Sequence, residues 1–230
     1  MPSTVKISPS LQCAPILELG QSVRTLMQAG ADMLHIDVMD GRFVPNFALN
    51  IDLIEALHRF TPLPTDVHFM VEQPREYILR AMDAGAAQIS FHVEAVREPM
   101  PLLTMIRKGG CAAGLALSPQ TPVSVLAPFL GAVDFVQVMA VQPGFSGQSF
   151  LPETLGRITE LSALRARSGL AFQISVDGGI DAAWGTECLQ RGVDILIAGA
   201  KCMFREGHDL ADDALAFIQA MREEAARALK

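Results

Sequence analysis

Short apolar runs recur along the chain at intervals of roughly 20 to 40 residues, which leaves room for one crossover helix each time. Between them the apolar positions follow a helical period, as in IDLIEALHRF at 51–60, REYILRAMDAG at 75–85 and the alanine-rich segment near 209–229. The runs themselves predict eight strands, near 5–11, 32–38, 64–70, 87–92, 112–117, 133–139, 171–177 and 193–198.

Eight alternating strands and helices predict an α/β fold, a single (β/α)8 TIM barrel that occupies residues 1–230 as one domain. A doubly wound open sheet is the alternative, but no GxGxxG follows the first strand. The length would also allow two domains, although no Pro-, Gly- or Ser-rich linker marks a boundary. The barrel is therefore the favoured interpretation.

The composition limits where the protein is expected to be located and what it is expected to bind. No apolar stretch approaches the ~20 residues of a membrane helix, and the start MPSTVKISPSL lacks the pattern of a signal peptide. We therefore expect a cytoplasmic protein that has no membrane partner. The net charge of −7 argues against a nucleic-acid partner, so an anionic group must be bound by local backbone donors. The four scattered cysteines are expected to be reduced and to carry no chemistry.

Four groups that can bind a metal lie at predicted strand ends: His35 and Asp37 in HIDVMDG, His68 in DVHFMV and Asp177 in VDGG. Alternation along a strand points His35 and Asp37 the same way, into the barrel, and puts Asp66 on the same face as His68. In a parallel barrel the strand ends meet at one mouth, where such folds carry out chemistry. Any one of these residues alone is more often structural, but together they indicate a divalent metal site with acid and base groups.

Other residues near the strand ends give weaker signals. His92 also ends a strand, in ISFHVEA, but it does not belong to this group of candidate ligands and is interpreted as a structural or supporting residue. Met39, Met70 and Met139 stand at or just beyond the ends of strands two, three and six. They are core filler in the simplest interpretation, and a water-poor lining over the metal if the metal site exists.

Three glycine-bearing turns follow strands six, seven and eight: QPGFSGQ at 142–148, DGGI at 177–180 and AGA at 198–200. Glycine lets the backbone approach an anion and direct its N–H groups at it. Each turn alone would be an ordinary tight turn, but their joint position at one end of the barrel predicts a phosphate site. Lys201 follows the last turn, where it is either an added point charge or a solvated lysine.

The chain resembles the ribulose-phosphate 3-epimerase family in motifs that span essentially its whole length: SPSL, HIDVMDGRFVPN, DVHFMV, FHVEA, VMAVQPGFSGQSF, VDGGI and AGA. The resemblance implies a TIM barrel of the ribulose-phosphate-binding type and a metal-dependent epimerase of phosphorylated ketoses. It implies one divalent ion (Zn, Fe, Mn or Co) held by His35, Asp37, His68 and Asp177. Asp37 and Asp177 are also the implied catalytic acid–base pair.

By the same resemblance, Ser10 and His68 contact the substrate, beside the lining formed by Met39, Met70 and Met139. The implied phosphate contacts are Gly144, Phe145, Ser146, Gly147, Gly178, Gly179, Gly199 and Ala200. One aspartate would remove the C3 proton of the ketose, and the other would return a proton to the opposite face of a metal-stabilised enediolate. The expected reaction converts D-ribulose 5-phosphate to D-xylulose 5-phosphate.

Some positions depart from the commonest pentose epimerase pattern. QCAP stands at 12–15, Ser146 replaces a glycine of PGFGGQ, and AKCMF after Gly199 is one residue longer than usual. The SLxC start and the longer stretch look more like the related allulose-6-phosphate 3-epimerases, whereas VDGGI looks more like the pentose enzyme. Conversion of D-allulose 6-phosphate to D-fructose 6-phosphate is therefore the alternative reaction.

Two other functional classes are weaker. A Schiff-base lyase needs a buried lysine at a strand end, and neither Lys6 nor Lys201 fits that position. A non-catalytic sugar-phosphate sensor would be expected to have lost an acid or a metal ligand, and all four candidate residues are present. The apolar barrel helices lead us to expect a homo-oligomer.

Overall fold

Eight parallel strands form one sheet in the computed structural model, which describes residues 5–228. They are β1 Lys6–Pro9, β2 Leu34–Met39, β3 Thr65–Met70, β4 Gln88–His92, β5 Ala112–Leu117, β6 Phe135–Met139, β7 Gln173–Asp177 and β8 Ile195–Ala198. Consecutive strands are neighbours from β2 to β8, and β8 pairs with β1. A single bridge between Ser10 and His35 joins β1 to β2 and closes the ring. The predicted TIM barrel is confirmed, and the open doubly wound sheet was the wrong alternative.

The strands begin slightly later than the apolar runs suggest. β5 has the predicted bounds, but β2, β6, β7 and β8 each begin two residues late. An aspartate precedes β2, β6 and β8, and its side chain accepts a hydrogen bond from a backbone N–H of the neighbouring strand. The three pairs are Asp32 with Ile7, Asp134 with Ala113 and Asp194 with Ile174. The first residues of each run therefore belong to the loop that anchors the strand.

Seven α-helices lie between strands in the part of the chain from residue 5 to residue 228, or follow the last one. They are α1 Leu19–Ala29, α2 Ile51–Phe60, α3 Pro74–Asp83, α4 Pro99–Lys108, α5 Thr154–Ser168, α6 Ala182–Leu189 and α7 Leu210–Ala228. Asn50 and Asp181 cap α2 and α6 through their side chains. The predicted helices at 51–60, 75–85 and 209–229 are confirmed as α2, α3 and α7, although residue 229 lies outside the described residues. None of the helices in 5–228 is both long and apolar enough to cross a membrane.

The connection after β5 departs from the strict alternation of strands and α-helices. It contains a 3-10 helix, Val123–Leu126, in place of an α-helix. Three prolines, Pro119, Pro122 and Pro128, lie in this connection. Proline lacks the N–H that a helix interior needs, so Pro128 prevents the short helix from continuing.

The two faces of the barrel strands differ in polarity. Outward side chains such as Ile36, Val67 and Phe91 are fully buried in the main apolar core. Several fully buried side chains at alternate positions are polar: Ser8, His35, Asp66, His68, Ser90, His92, Gln137 and Ser175. Buried polar groups cost free energy unless they are hydrogen-bonded, so this interior must contain organised polar contacts.

Candidate metal centre and active site

Four polar side chains converge at the carboxyl ends of three strands. His35 and Asp37 come from β2, His68 from β3, and Asp177 is the last residue of β7. One nitrogen or carboxylate oxygen from each residue lies within 4.8 Å of all the others. The sequence predicted that these side chains would meet at one mouth, and the structure brings all four together.

The distances among these atoms suit a bound cation. Asp37 Oδ1 is 3.2 Å from His35 Nε2 and 3.1 Å from His68 Nδ1. Asp177 Oδ2 is 3.8 Å from each of the same two ring nitrogens. Four ligands with metal bonds of about 2.1 Å place their donor atoms about 3.4 Å apart in a tetrahedron. Two imidazoles with two carboxylates are also a donor set that divalent transition metals accept. The four side chains therefore fit a divalent metal ion.

Asp66 orients the ring of His35. Its Oδ2 lies 2.8 Å from His35 Nδ1 and accepts a second hydrogen bond from the Ser8 hydroxyl at 3.1 Å. This contact turns His35 Nε2 towards the centre of the cluster, as outer carboxylates do for metal-binding histidines. Sequence alternation placed Asp66 on the inner face but assigned it no role. Its partner became evident only from the register, in which Asp66 stands opposite His35.

His92 lies closer to the candidate metal ligands than the sequence suggested. Its Nε2 is 3.0 Å from His68 Nε2, and the two ring centroids are 5.0 Å apart. On its other side, His92 Nδ1 lies 3.2 Å from Glu94 Oε2 and 3.1 Å from Ser118 Oγ. Burial lowers the pKa of His92 to about 4, so the ring is neutral at neutral pH. The expectation that His92 stands apart from the cluster was wrong, while a supporting role agrees with this contact.

The two aspartates occupy different electrostatic environments. Burial alone would raise the pKa of Asp37, but the charge of His35 and hydrogen bonds from His35 and His68 hold it far below its usual value. Burial and the negative charge of Asp37 raise the pKa of Asp177 to about 7. Two carboxyl groups with pKa values pushed apart are a common arrangement for acid–base chemistry.

Neutral side chains position both carboxylates. Ser10 donates to Asp37 Oδ2 at 3.0 Å, and the Gln137 amide donates to Asp177 Oδ2 at 3.3 Å. The Ser90 hydroxyl donates to the Gln137 carbonyl oxygen at 2.9 Å and so fixes which way that amide faces. Sequence reasoning missed Gln137 because a lone glutamine in an apolar strand gives no motif.

A pocket opens above the cluster. Asp37, Asp177, Ser10 and the three methionines of the predicted lining, Met39, Met70 and Met139, line it. His35 and His68 are fully buried and do not line this pocket. Cys13 also lines it, but burial and nearby Asp37 raise the pKa of its thiol to about 11, so the thiol stays protonated.

The glycine turns form the opposite side of this pocket. All of the residues predicted to contact phosphate lie along it: Gly144, Phe145, Ser146, Gly147, Gly178, Gly179, Gly199 and Ala200. Gly179 has a φ of 66°, and an added Cβ would lie 2.5 Å from the Phe150 backbone nitrogen. A side chain is thus excluded there both by space and by backbone conformation.

Two polar side chains hold the first turn in shape. Asn46 donates to the Gly144 carbonyl at 2.7 Å, across 98 residues of sequence. Gln148 donates to the carbonyls of Gln142 and Phe145, at 2.7 and 2.8 Å. Asn46 ends the HIDVMDGRFVPN motif, but nothing in the sequence identified its partner, which lies on a loop remote in the chain. These bonds leave the turn's remaining backbone N–H groups free to meet an anion.

Known proteins match nearly the whole chain. A family model described as the ribulose-phosphate 3 epimerase family matches residues 6–203. Three curated relatives named ribulose-phosphate 3-epimerase align with this sequence. The Treponema pallidum protein is 38% identical over 200 residues, covering 87% of this chain and 92% of the relative. The Chlamydia pneumoniae protein is 41% identical over 199 residues, covering 86% and 87%. The Mycobacterium bovis protein is 34% identical over 222 residues, covering 96% and 93%.

Solved structures share the architecture at much lower identity. Phosphoribosyl anthranilate isomerase from Thermus thermophilus superposes with a TM-score of 0.67 at 15% identity, covering 95% of this chain and 98% of that one. The tryptophan synthase alpha chain from Legionella pneumophila gives 0.64 at 15% identity, covering 97% and 92%. Likeness at this identity supports the barrel fold alone.

Proposed function

The chain belongs to the ribulose-phosphate 3 epimerase family, and from this premise we propose that it interconverts D-ribulose 5-phosphate and D-xylulose 5-phosphate with the help of a divalent metal ion. It is an isomerase of the epimerase type. The observation that carries the proposal is the convergence of His35, Asp37, His68 and Asp177 beneath a pocket rimmed by glycine turns. One end of that pocket suits an acid–base reaction, and the other suits a phosphate.

Asp37 and Asp177 are the proposed acid–base pair. Inverting a carbon centre requires a base on one face of the substrate and an acid on the other. The two residues come from β2 and β7, which are separated in the ring by β1 and β8, so their carboxyl groups reach the pocket from different sides of the barrel. Asp37 and Asp177 can serve in turn as the base that takes the C3 proton from one face and the acid that returns a proton to the other. The roles exchange for the reverse reaction.

The four converging side chains would hold the metal, His35 through Nε2 and His68 through Nδ1. When bound there, a divalent ion supplies positive charge that stabilises the negative charge developing on the substrate oxygens as C3 loses its proton. Asp66 keeps His35 in the orientation that this role requires.

Met39, Met70 and Met139 would exclude water from the reacting end of the pocket. They are 6%, 2% and 2% exposed, and each ends a strand at the rim. A dry site strengthens every electrostatic interaction inside it. All three methionines line the pocket, which favours a lining role over simple core filling.

The phosphate is assigned to the glycine turns after β6, β7 and β8. Their backbone N–H groups can serve a dianion without a basic cluster, which suits a chain with a net charge of −7. Lys201 lines the same pocket and is exposed, so it can add a point charge at the phosphate end.

D-Allulose 6-phosphate is the second candidate substrate. The positions that depart from the commonest pentose pattern, Gln12, Ser146 and Lys201, all line the pocket. They are therefore placed where the length of the sugar chain would be sensed. The curated relatives described above carry the ribulose-phosphate name, which favours the pentose.

A coupled epimerisation assay on the metal-loaded protein tests the proposal, with kcat/KM compared for ribulose 5-phosphate and allulose 6-phosphate. The proposal predicts a higher kcat/KM for the pentose. A higher value for the hexose would reassign the substrate and keep the chemistry. Turnover of neither sugar would contradict the proposed function.

A further inference from the structure

We propose that His92 and Glu94 are positioning residues that fix which nitrogen of His68 carries a proton, so that the free electron pair of its Nδ1 faces the metal centre. The inference rests on the metal-dependent function proposed above. A neutral imidazole has one protonated and one free nitrogen, and only the free one can bind a metal. Something must therefore select the form of His68 that is protonated at Nε2.

The contact between the two rings allows only one proton. His68 Nε2 and His92 Nε2 are 3.0 Å apart, so one of them must donate and the other must accept. Both rings are fully buried, so water does not replace either partner. Phe43 packs against the His92 ring at a centroid distance of 4.7 Å and helps to keep it in place. The tautomers of His92 and His68 are therefore linked.

Glu94 determines the state of His92. Its Oε2 is 3.2 Å from His92 Nδ1, and an ionised carboxylate can only accept a hydrogen bond. His92 must then be protonated at Nδ1 and free at Nε2, which makes His68 the donor between the rings. His68 Nδ1 is then left with its electron pair for the metal. Asp37 Oδ1, 3.1 Å from that nitrogen, favours a proton there when no metal is bound, so Glu94 acts against Asp37 and lowers the cost of freeing Nδ1 for the metal.

Hydrogen bonds from the next loop keep the Glu94 carboxylate ionised, so it can only accept a hydrogen bond from His92. Its Oε1 accepts from the Ser118 backbone N–H at 2.9 Å and from the Thr121 hydroxyl. Burial would raise the pKa of Glu94, but hydrogen bonds from His92 and Thr121 lower it to about 2. Arg157 donates to the Ser118 carbonyl at 2.8 Å and anchors the loop that carries these donors. The carboxylate is thus ionised and fixed in orientation.

Ser118 could oppose this arrangement, because its hydroxyl lies 3.1 Å from His92 Nδ1 and is able to donate. Such a bond would need a free electron pair on Nδ1, which would then face the negative Glu94 Oε2. The ionised carboxylate disfavours that state, so Ser118 accepts rather than donates. The selection of the His68 tautomer depends on the charge of Glu94.

Glu94→Gln reverses the selection with a minimal change of shape. The two donors from Ser118 and Thr121 keep the amide oxygen on their side, so the amide NH2 faces His92 Nδ1 and donates to it. His92 then carries its proton on Nε2, and His68 is protonated at Nδ1, the atom that would bind the metal. We expect zinc affinity to fall by about 10- to 100-fold. Glu98→Gln is the matched control, since Glu94 and Glu98 are both exposed residues of the same loop and only Glu94 of the two contacts His92.

Zinc affinity is measured by competition with a chromophoric chelator, on variants whose circular dichroism and unfolding temperature show that they are folded. The inference predicts a large loss for Glu94→Gln and a change within about twofold for Glu98→Gln. Equal affinities for the two variants would overturn it. If the wild type epimerises ribulose 5-phosphate and binds zinc, but the two variants bind zinc equally well, this inference fails and the proposed function stands. If the wild type binds no metal, the proposed function fails with it.

A second measurement needs no variant. Long-range ¹H–¹⁵N correlation spectra of the zinc-loaded wild type report which ring nitrogens are protonated. The inference predicts His92 protonated at Nδ1 and His68 protonated at Nε2. The opposite pair of tautomers would overturn it, whether or not Glu94→Gln folds. A merely structural role for Glu94 would not specify either tautomer.

Discussion

Asp37 on β2 stands directly opposite His68 on β3, and Asp37 Oδ1 lies 3.1 Å from His68 Nδ1. The same register puts His35 opposite Asp66, so two adjacent strands supply three polar contacts of the site. A sheet register is rigid because a slip by one residue would turn every side chain to the other face. The barrel therefore holds the proposed acid–base and metal-binding groups at fixed distances.

Replacing either of the proposed catalytic aspartates with asparagine should nearly abolish turnover. Asp37→Asn and Asp177→Asn each remove a proton acceptor while keeping the shape of the side chain, and we expect kcat to fall about 10³-fold or more. Each variant is assayed at saturating metal, and binding of inorganic phosphate is measured separately. Asp52→Asn is the control, because the Asp52 side chain is 83% exposed on α2. Substantial activity in either aspartate variant would contradict the two-base scheme.

Removing the metal should abolish activity and lower stability. Binding to the folded state stabilises a protein by about 2.7 kcal/mol when the free ligand is at 100 times its Kd. Exhaustive dialysis against a chelator should therefore lower both kcat and the unfolding temperature, and zinc, manganese, iron or cobalt should restore them. Full activity in a sample shown by elemental analysis to be free of metal would exclude the metal from the reaction.

A methyl group in the first glycine turn should weaken phosphate binding. Gly147 has a φ of 79°, Gly169 has a φ of 67°, and an added Cβ at either position meets no atom within 4 Å. Alanine at each site should cost about 1–2 kcal/mol of stability through backbone strain. Only Gly147→Ala should also raise KM for the phosphorylated substrate, by roughly tenfold if it disturbs one charged hydrogen bond. A similar KM in the Gly147→Ala and Gly169→Ala proteins would argue against phosphate at this turn.

The sequence predicts the barrel and the converging tetrad well because both depend on local patterns. Strand alternation decides which side chains face inward, and parallel strands bring their ends together, so His35, Asp37, His68 and Asp177 were found together without coordinates. Glycine turns at strand ends are local features as well. The predicted phosphate residues therefore lie along one pocket.

The supporting contacts could not be predicted because they depend on the relative positions of distant residues. Asp66 acts on His35 through the β2–β3 register, and Asn46 reaches Gly144 from another loop. Glu94 lies in the short 3-10 helix Val93–Ala95 beyond β4, where no hydrophobic period indicates a direction. Pro128 indicated that no α-helix follows β5, but the regular alternation of strands and helices elsewhere in the chain favoured one.

Arg165 should matter for stability but not for chemistry. It donates to the carbonyls of Phe172 and Gly192, and it pairs with Asp194 at the start of β8, away from the mouth. Arg165→Met would remove the donor to both carbonyls and leave Asp194 with only the Ile174 N–H, and we expect the free energy of unfolding to fall by about 2–3 kcal/mol. Arg59→Met removes an exposed pair with Glu55 and should cost less than about 0.5 kcal/mol. Urea unfolding measures both, and a changed kcat in folded Arg165→Met protein would contradict a purely structural role.

The proposed role of Asp37 and Asp177 is to move protons at C3 of a phosphorylated ketose. It can be followed by NMR of ribulose 5-phosphate incubated with the metal-loaded protein in D2O. We expect xylulose 5-phosphate that carries deuterium at C3, because the returning proton comes from an aspartate that has exchanged with solvent. Xylulose 5-phosphate that keeps the original C3 proton, or no xylulose 5-phosphate at all, would contradict it.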